Sequence, residues 1–341
     1  MCLAIASACG GGSDATTPQR NTGPNDFTNV PAPPNGVAQF SVLPVSIAAG
    51  ATLTALGNLS PPGHVLPTDH VYFYDWDLAS RRPSSMDVRD VYMPATGAAF
   101  LILPITPPES KVMFRATNNF YFYLDHIVLS SPIAVGQVIQ AGTRIAKTLP
   151  GQTVDLGAFD MSVQNAGFVN TARYGPQTLN CVSPWKYFTP ELQTQIYSHV
   201  YRAPTAPDKD GKIDFGVAGR LVGDWFLQGM PADSSSGPYG WTRSVSFVYD
   251  YFDPTQVRIS IGGTVAPAGV WGIDSTATPP ANISVASGLV AYRLYGIFDF
   301  KPLYGLMLVQ MVNDSTIKVQ VFPGSQATTG QFDGQVATFV R

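Results

Sequence analysis

Gly63-His64-Val65-Leu66-Pro67-Thr68-Asp69-His70-Val71-Tyr72-Phe73 is the stretch on which the fold reading turns. Pro67-Thr68-Asp69 is turn chemistry, and Val71-Tyr72-Phe73-Tyr74-Asp75-Trp76 has the aromatic and β-branched content of a strand. The chain here bends and enters a sheet. His64 and Asp69 flank the bend. A histidine and a carboxylate a few residues apart, one of them opening a strand, is how many zinc sites place two ligands on one metal. A polar turn feeding an apolar strand needs no metal, so two readings stand: a metal pair, or a hydrogen-bonded polar cluster. His70 follows Asp69 directly, and strand alternation sends it to the opposite face.

Outward from this stretch, short β-rich runs alternate with Gly and Pro. Phe120-Tyr121-Phe122-Tyr123-Leu124 is a second aromatic strand, and Asp90 to Phe100 reads as strand, turn, strand. Gly136 and Gly142 in Ile133-Ala134-Val135-Gly136-Gln137-Val138-Ile139-Gln140-Ala141-Gly142-Thr143-Arg144-Ile145-Ala146 suit the positive-φ positions of tight turns. The bulk numbers agree with an all-β, turn-rich, extracytoplasmic protein. In 341 residues there are 32 Gly and 29 Pro, 45% hydrophobic and only 13% charged residues, about half the usual charged share. The length suits two domains. A net charge of −3 leaves no electrostatic footprint for nucleic acid.

Three segments together resemble the lysostaphin/LytM-type zinc endopeptidases. Val91-Tyr92-Met93-Pro94-Ala95-Thr96-Gly97 is similar to their aromatic-Ala-Pro hairpin, Tyr123-Leu124-Asp125-His126-Ile127 to their Tyr-x-His-Leu strand, and residues 133–146 to their paired glycine hairpins. The likeness covers about residues 55–165. It implies a β-sandwich in which His64 and Asp69 stand for the His-x-x-x-Asp ligand pair, with one extra residue between them. It places His126, displaced by one from its Tyr, as the strand histidine that assists a zinc-bound water. The family's His-x-His pair falls within Val154–Asp160, where the sequence has none. Gly157 or Ala158 holds the third ligand position, and Asp155 is the one nearby oxygen donor. A catalytic zinc keeps three protein ligands and an open position, so the resemblance implies a degenerate, non-catalytic site. Its alternative is a metal-dependent hydrolase or peptidoglycan endopeptidase using zinc on His64, Asp69 and Asp155, with His126 as the catalytic candidate. For the non-catalytic reading no cofactor is expected. The old cleft then becomes a recognition groove for peptidoglycan, a glycan or an envelope protein, with His64, Asp69, His126 and Asp155 beside aromatic faces from Tyr72, Tyr74, Tyr92, Tyr121 and Tyr123; the same tyrosines also alternate as core, which is the plainer reading of them.

At the start of the chain, Ala6-Ser7-Ala8-Cys9 resembles a bacterial lipobox, with Cys9 as the lipidated residue and residues 1–9 as the remnant of a signal peptide. Residues 10–36 read as a flexible tether, and structure is expected to begin near Val37. The expected location is a lipid-anchored, extracytoplasmic place in the cell envelope. Cys181 is then the one remaining thiol, and it reads as buried packing.

Residues 37–165 form the first domain, and 166–206 a connector with the one convincing helix, 190–200: Thr189 as N-cap, Pro190 at N1, and a stripe of Leu192, Ile196 and His199 or Val200. Asp208-Lys209-Asp210-Gly211-Lys212-Ile213-Asp214 resembles part of an EF-hand calcium loop. With Asp210 at position 5, though, Ala206 and Val217 hold positions 1 and 12, so the segment reads as an Asp-Gly turn and the calcium loop is the alternative. Residues 207–341 read as a second β domain, a meander closed into a small barrel or sandwich. Near its start, Gly223-Asp224-Trp225-Phe226 is similar to the Gly-x-Trp strand of lipocalins. No histidine follows His199, so nothing in this half spaces a catalytic group.

Overall fold

The computed structural model describes residues 29–74, 76–77, 82–83, 87–230, 243–297 and 302–341, with backbone alone for 74–83. Cys9 with its lipobox, residues 10–28 of the tether and the side chain of Tyr74 lie outside the described residues. The protein is all-β, in two units. The first holds β1 (Thr52–Leu53), β2 (His70–Tyr74), β3 (Trp76–Asp77), β4 (Arg82–Pro83), β5 (Asp90–Tyr92), β6 (Gly97–Pro104), β7 (Ser110–Arg115), β8 (Phe120–Leu129), β9 (Val138–Ile139), β10 (Arg144–Lys147), β11 (Asp155–Asp160) and β12 (Cys181–Val182). Ten of these form one antiparallel sheet with the path β1-β2-β11-β8-β7-β6-β9; β10 pairs with β5 and β8, β12 with β11, and β3 with β4 as a separate ribbon.

Alternation fixes which face is core. Val71 and Phe73 on β2, Phe120, Phe122 and Leu124 on β8, and Leu156 and Ala158 on β11 join one buried cluster with Trp185 and Phe188. Their neighbours His70 and Tyr72, Tyr121, Tyr123 and Asp125, Asp155 and Gly157 therefore point to the other face. Register lines these up, since Gly157 lies opposite both His70 and Tyr123, and Asp155 opposite both Tyr72 and Asp125. That second face carries the polar cluster.

β8 serves two partners. Residues 120–125 pair with β11, and Val128 and Leu129 pair with β10. Between them the register with β7 shifts, Ser110 lying opposite Ile127 but Val112 opposite Leu124. His126 occupies this bulge at φ +59, a backbone region costly for a residue with a Cβ.

The chain packs earlier than Val37. Val30 is buried, its carbonyl accepts from Arg115 Nη1 at 2.7 Å, and a Cβ on Gly36 would stand 1.8 Å from Ala116 O. The end of the expected tether is thus part of the first unit. Between the units, α1 (Pro176–Leu179) is a single turn and α2 (Pro190–His199) has Pro at its start. Ile196 and Val200 of that stripe are buried, and His199 Nδ1 bonds Ala51 O at 2.9 Å. The carboxylates of the 208–214 loop are taken by protein donors: Asp208 Oδ1 accepts from Arg202 Nη1 and the N–H groups of Asp210 and Gly211, Asp210 from Tyr197 OH, and Asp214 from Gly167 N–H. This is an Asx-type turn, and the calcium-loop reading falls away.

The second unit is a closed eight-stranded barrel in sequential order: β13 (Gly223–Leu227), β14 (Ser244–Tyr249), β15 (Val257–Ile261), β16 (Gly269–Gly272), β17 (Leu289–Gly296), β18 (Leu303–Asn313), β19 (Thr316–Pro323) and β20 (Ala337–Val340). Its lumen is filled by Trp225, Phe247, Ile259, Tyr292, Met307, Val319 and Phe339. The Trp of the Gly-x-Trp strand is sealed at one end: Trp225 Nε1 donates to Leu221 O at 2.8 Å, and the Arg341 guanidinium lies 4.3 Å from its ring centre. Among the described residues no helix is long and apolar enough to cross a membrane.

Candidate functional site

The sequence-predicted site residues meet on the second face of the first sheet, and His70 is their hub. Its Nδ1 lies 3.2 Å from Asp69 Oδ1 and its Nε2 2.9 Å from Tyr72 OH and 3.4 Å from Asp155 Oδ2. The His64 ring centre is 5.1 Å from that of His70. The expectation that His70 leaves on the opposite face is overturned. β2 begins at His70, so alternation starts there; Asp69 belongs to the bend before the strand and is not bound by it.

Asp69 is saturated. Its Oδ1 accepts from Tyr123 OH at 2.8 Å and from His70; its Oδ2 accepts from Gln177 Nε2 at 2.9 Å and Thr178 Oγ1 at 3.0 Å. Burial alone raises a carboxyl pKa, yet the bonds and charge of His70, with Lys111 and Tyr123, hold Asp69 well below the usual range. Asp155 goes the other way. Burial, then the charge of Asp125, push its pKa well up, with Lys111 pulling against them and Glu109 adding to the rise, a shift that favours its protonated form. His64 is neutral: burial, then His70, lowers its pKa to about 3.

The third ligand position is closed by packing. A Cβ on Gly157 would lie 2.1 Å from both Cε1 and Cζ of Tyr123 and 2.5 Å from its Oη. The Tyr123 ring, wholly buried, fills the space that a side chain on residue 157 would need. Lys111 Nζ sits 3.7 Å from the centre of that ring and 3.7 Å from Asp125 Oδ2.

A zinc ion needs deprotonated or neutral donors with free lone pairs, three of them from protein. Neutral His64 suits this, but Asp69 has all its acceptor positions taken, the burial of Asp155 disfavours its ionised form, and Gly157 donates nothing. Among the described residues no group of three or more His, Cys, Asp and Glu side chains is placed to hold a metal ion. Held this way, His64, Asp69 and Asp155 do not form the three-ligand zinc set that the resemblance implies.

Of the two readings of the tyrosines, core packing holds for Tyr72, Tyr121 and Tyr123 and the aromatic groove does not. Tyr72, Tyr121 and Tyr123 are 5%, 1% and 0% exposed, so they present no face to a sugar. Tyr92 lies on β5, paired with β10 away from the cluster. What reaches solvent is His126, whose side chain is 31% exposed; its Nδ1 is 3.5 Å from Glu109 Oε1 and its Nε2 3.7 Å from Asp155 Oδ2. Glu109 Oε1 and Asp155 Oδ1 are buried without a hydrogen-bond partner. Glu109, Lys111, Gln177 and Thr178 were invisible to sequence reasoning, because no spacing ties them to His64 or Asp69. Only the Gly at position 157 carried a signal, as an empty place that something else must fill. Cys181 is a free, buried thiol whose Sγ lies 3.5 Å from Asp69 O; burial, then the Asp69 charge, pushes its pKa well up.

No protein-family model and no curated protein matches the chain. Solved structures similar to parts of it include Helicobacter pylori Csd3, 14% identical over 39% of this chain and 35% of that one, with a TM-score of 0.27. A zinc-containing peptidase from Vibrio cholerae is 14% identical over 37% of each chain, at 0.25. Lysostaphin is 13% identical over 74% of this chain and 92% of its own, at 0.24. The chain thus spans little more than a third of the length of the first two. These neighbours include zinc-peptidase-like folds, at a similarity too low to carry an activity across.

Proposed function

We propose that this is a non-catalytic cell-envelope protein, lipid-anchored through Cys9, whose first unit is a peptidase-like module that binds peptidoglycan. The observation that carries the reading is the Tyr123 ring packed into the place of the third ligand, with its hydroxyl on Asp69. A group that fills the ligand space and consumes the ligand carboxylate turns a metal cleft into a fixed hydrogen-bond network. The rim left open is His126, with Lys111 and Asp125 half-buried beside it, a mixed-charge edge suited to a peptide stem bearing amines and carboxylates.

The test is co-sedimentation of the full chain with insoluble peptidoglycan, alongside a turbidity assay and zinc analysis by mass spectrometry. The expected result is sedimentation that weakens in His126→Ala and Lys111→Ala, no clearing of turbidity, and substoichiometric zinc. Clearing with near-stoichiometric zinc lost in His64→Ala overturns it, and so does failure to sediment.

A second reading has its own observation. His126 is strained at φ +59 and flanked by two buried carboxyl groups with unpaired oxygens, and strain with unsatisfied polar atoms is a mark of chemistry. In it, His126 and protonated Asp155 form a proton-transfer pair in a hydrolase. Turbidity clearing that is insensitive to chelator and lost in Asp155→Asn favours this reading.

A further inference from the structure

The barrel has a seam. β17 makes seven paired positions with β18, and β18 makes eight with β19. By contrast, β16 and β17 share two, Trp271 with Gly296 and Gly272 with Tyr295. Residues 289–294 of β17 have no β16 partner, and there Tyr292 OH donates to Thr278 O in the segment that follows β16. Two of the four seam residues are glycines, so no side chain from them fills the gap. A Cβ on Gly272 would stand 3.6 Å from Arg258 Nη1, in open contact distance.

At this seam lies a cleft of about 580 Å3, lined by the starts of β15 and the ends of β16 and β17. That volume falls in the range of small-molecule sites, roughly 300–1,000 Å3. The lumen is packed with the buried cluster around Trp225 and Phe247, and the cleft lies at the wall.

The lining has a definite chemistry. Val257, Ile273, Ile297 and Pro279 give apolar walls, and Tyr295 adds a half-buried aromatic ring. The Arg293 guanidinium lies 5.4 Å from the Tyr295 ring centre, and Asp274 lines the cleft with Tyr295. Arg258 also lines the cleft and is fixed in place, Nε donating to Asp250 Oδ2 at 2.7 Å and Nη2 to Gln256 Oε1 at 2.8 Å. Its charge is matched by Asp250, and Asp274 supplies an acceptor at the rim beside Ser275. Such a site selects no strong ion. It combines an aromatic face with pre-set donors and acceptors, and hydroxyl-rich rings have one apolar face and an edge that both donates and accepts.

We infer that the barrel carries a second binding site, the β16–β17 seam cleft, for a neutral saccharide of one or two rings. Tyr295 receives the sugar face, and Arg258, Asp274 and Ser275 receive its hydroxyls. This site stands apart from the His126 rim and holds whether or not that rim binds peptidoglycan.

The experiment is an NMR titration of the isotope-labelled full chain with maltose and, separately, N,N′-diacetylchitobiose, each to about 10 mM. Shifts are expected at residues 256–258, 272–275 and 295–297 for at least one of them. Affinity is expected to fall about tenfold or more in Tyr295→Ala and in Asp274→Asn, and to stay unchanged in His126→Ala. Asp274→Asn keeps the side chain's shape but exchanges an acceptor oxygen for an NH2 donor and removes the charge, so it reports even where Tyr295→Ala perturbs the seam. Absence of shifts with both sugars overturns the inference. So does full affinity in both cleft variants, or binding lost only in His126→Ala, which would place the sugar on the first unit.

Discussion

Gly157→Ala adds one methyl at the place where the site is most tightly closed. The new Cβ would sit 2.1 Å from two ring carbons of Tyr123. Carbon atoms rest about 3.5–4.0 Å apart, so the ring must retreat by about 1.5 Å or β11 must shift. Tyr123 is wholly buried, with Lys111 over its ring and its hydroxyl on Asp69, so neither movement is free. Overpacking of this kind costs about 1–3 kcal/mol. Breaking the hydrogen bond to a charged carboxylate adds about 1.5–3 kcal/mol. Replacing Gly in a strand returns about 0.5–1 kcal/mol. The net expectation is a loss of about 2–5 kcal/mol from the first unit.

The assay is native-state hydrogen exchange on peptides from β2, β8 and β11, which reads this unit without the barrel. A cycle with Tyr123→Ala makes the mechanism specific. Tyr123→Ala alone costs about 3–5 kcal/mol, and adding Gly157→Ala to it is expected to cost almost nothing more, because the obstructing ring is gone. Strict additivity of the two substitutions would refute the reasoning. Gly157→Ala within about 0.5 kcal/mol of the parent would refute it equally.

Three further outcomes follow from the same geometry. His64 stays neutral in the fold to about pH 3 while the unfolded chain protonates near 6.5, so stability falls as pH drops through that window. At pH 4.5 the loss is about 1–2 kcal/mol, discounted because the ring keeps some water contact, and melting curves of His64→Phe should lack it. Asp224, raised to about 6 by burial despite hydrogen bonds from Ser246 and Tyr174, has the opposite sign. The fold binds its proton more tightly than the unfolded chain does, so barrel stability falls by about 2 kcal/mol as pH rises from 4 to 7; exchange of β13 and β14 peptides in Asp224→Asn should lose this decline. Arg341 donates to Asp314 O, Val222 O and Val217 O while covering Trp225. A lysine cannot span three carbonyls and a ring, so Arg341→Lys should destabilise the barrel by about 1–3 kcal/mol, read by urea unfolding.

By itself the sequence determined the all-β class and the second unit's meander, because alternation and Gly or Pro turns are local and repeat along the chain. Val71 and Phe73 against His70 and Tyr72, or Val309 and Met311 on β18, can be sorted to core and non-core faces from spacing of two alone. Tertiary structure decided the site. The bulge at His126 and the register of β11 against β2 and β8 bring Gly157 beneath Tyr123, and no local pattern encodes that meeting. The same holds for Asp69, whose four donors come from β2, β8 and α1, and for Arg341 closing over Trp225 from the other end of the barrel. Side-chain chemistry is written residue by residue; whether a carboxylate is free to bind a ligand depends on which distant donors the register delivers to it.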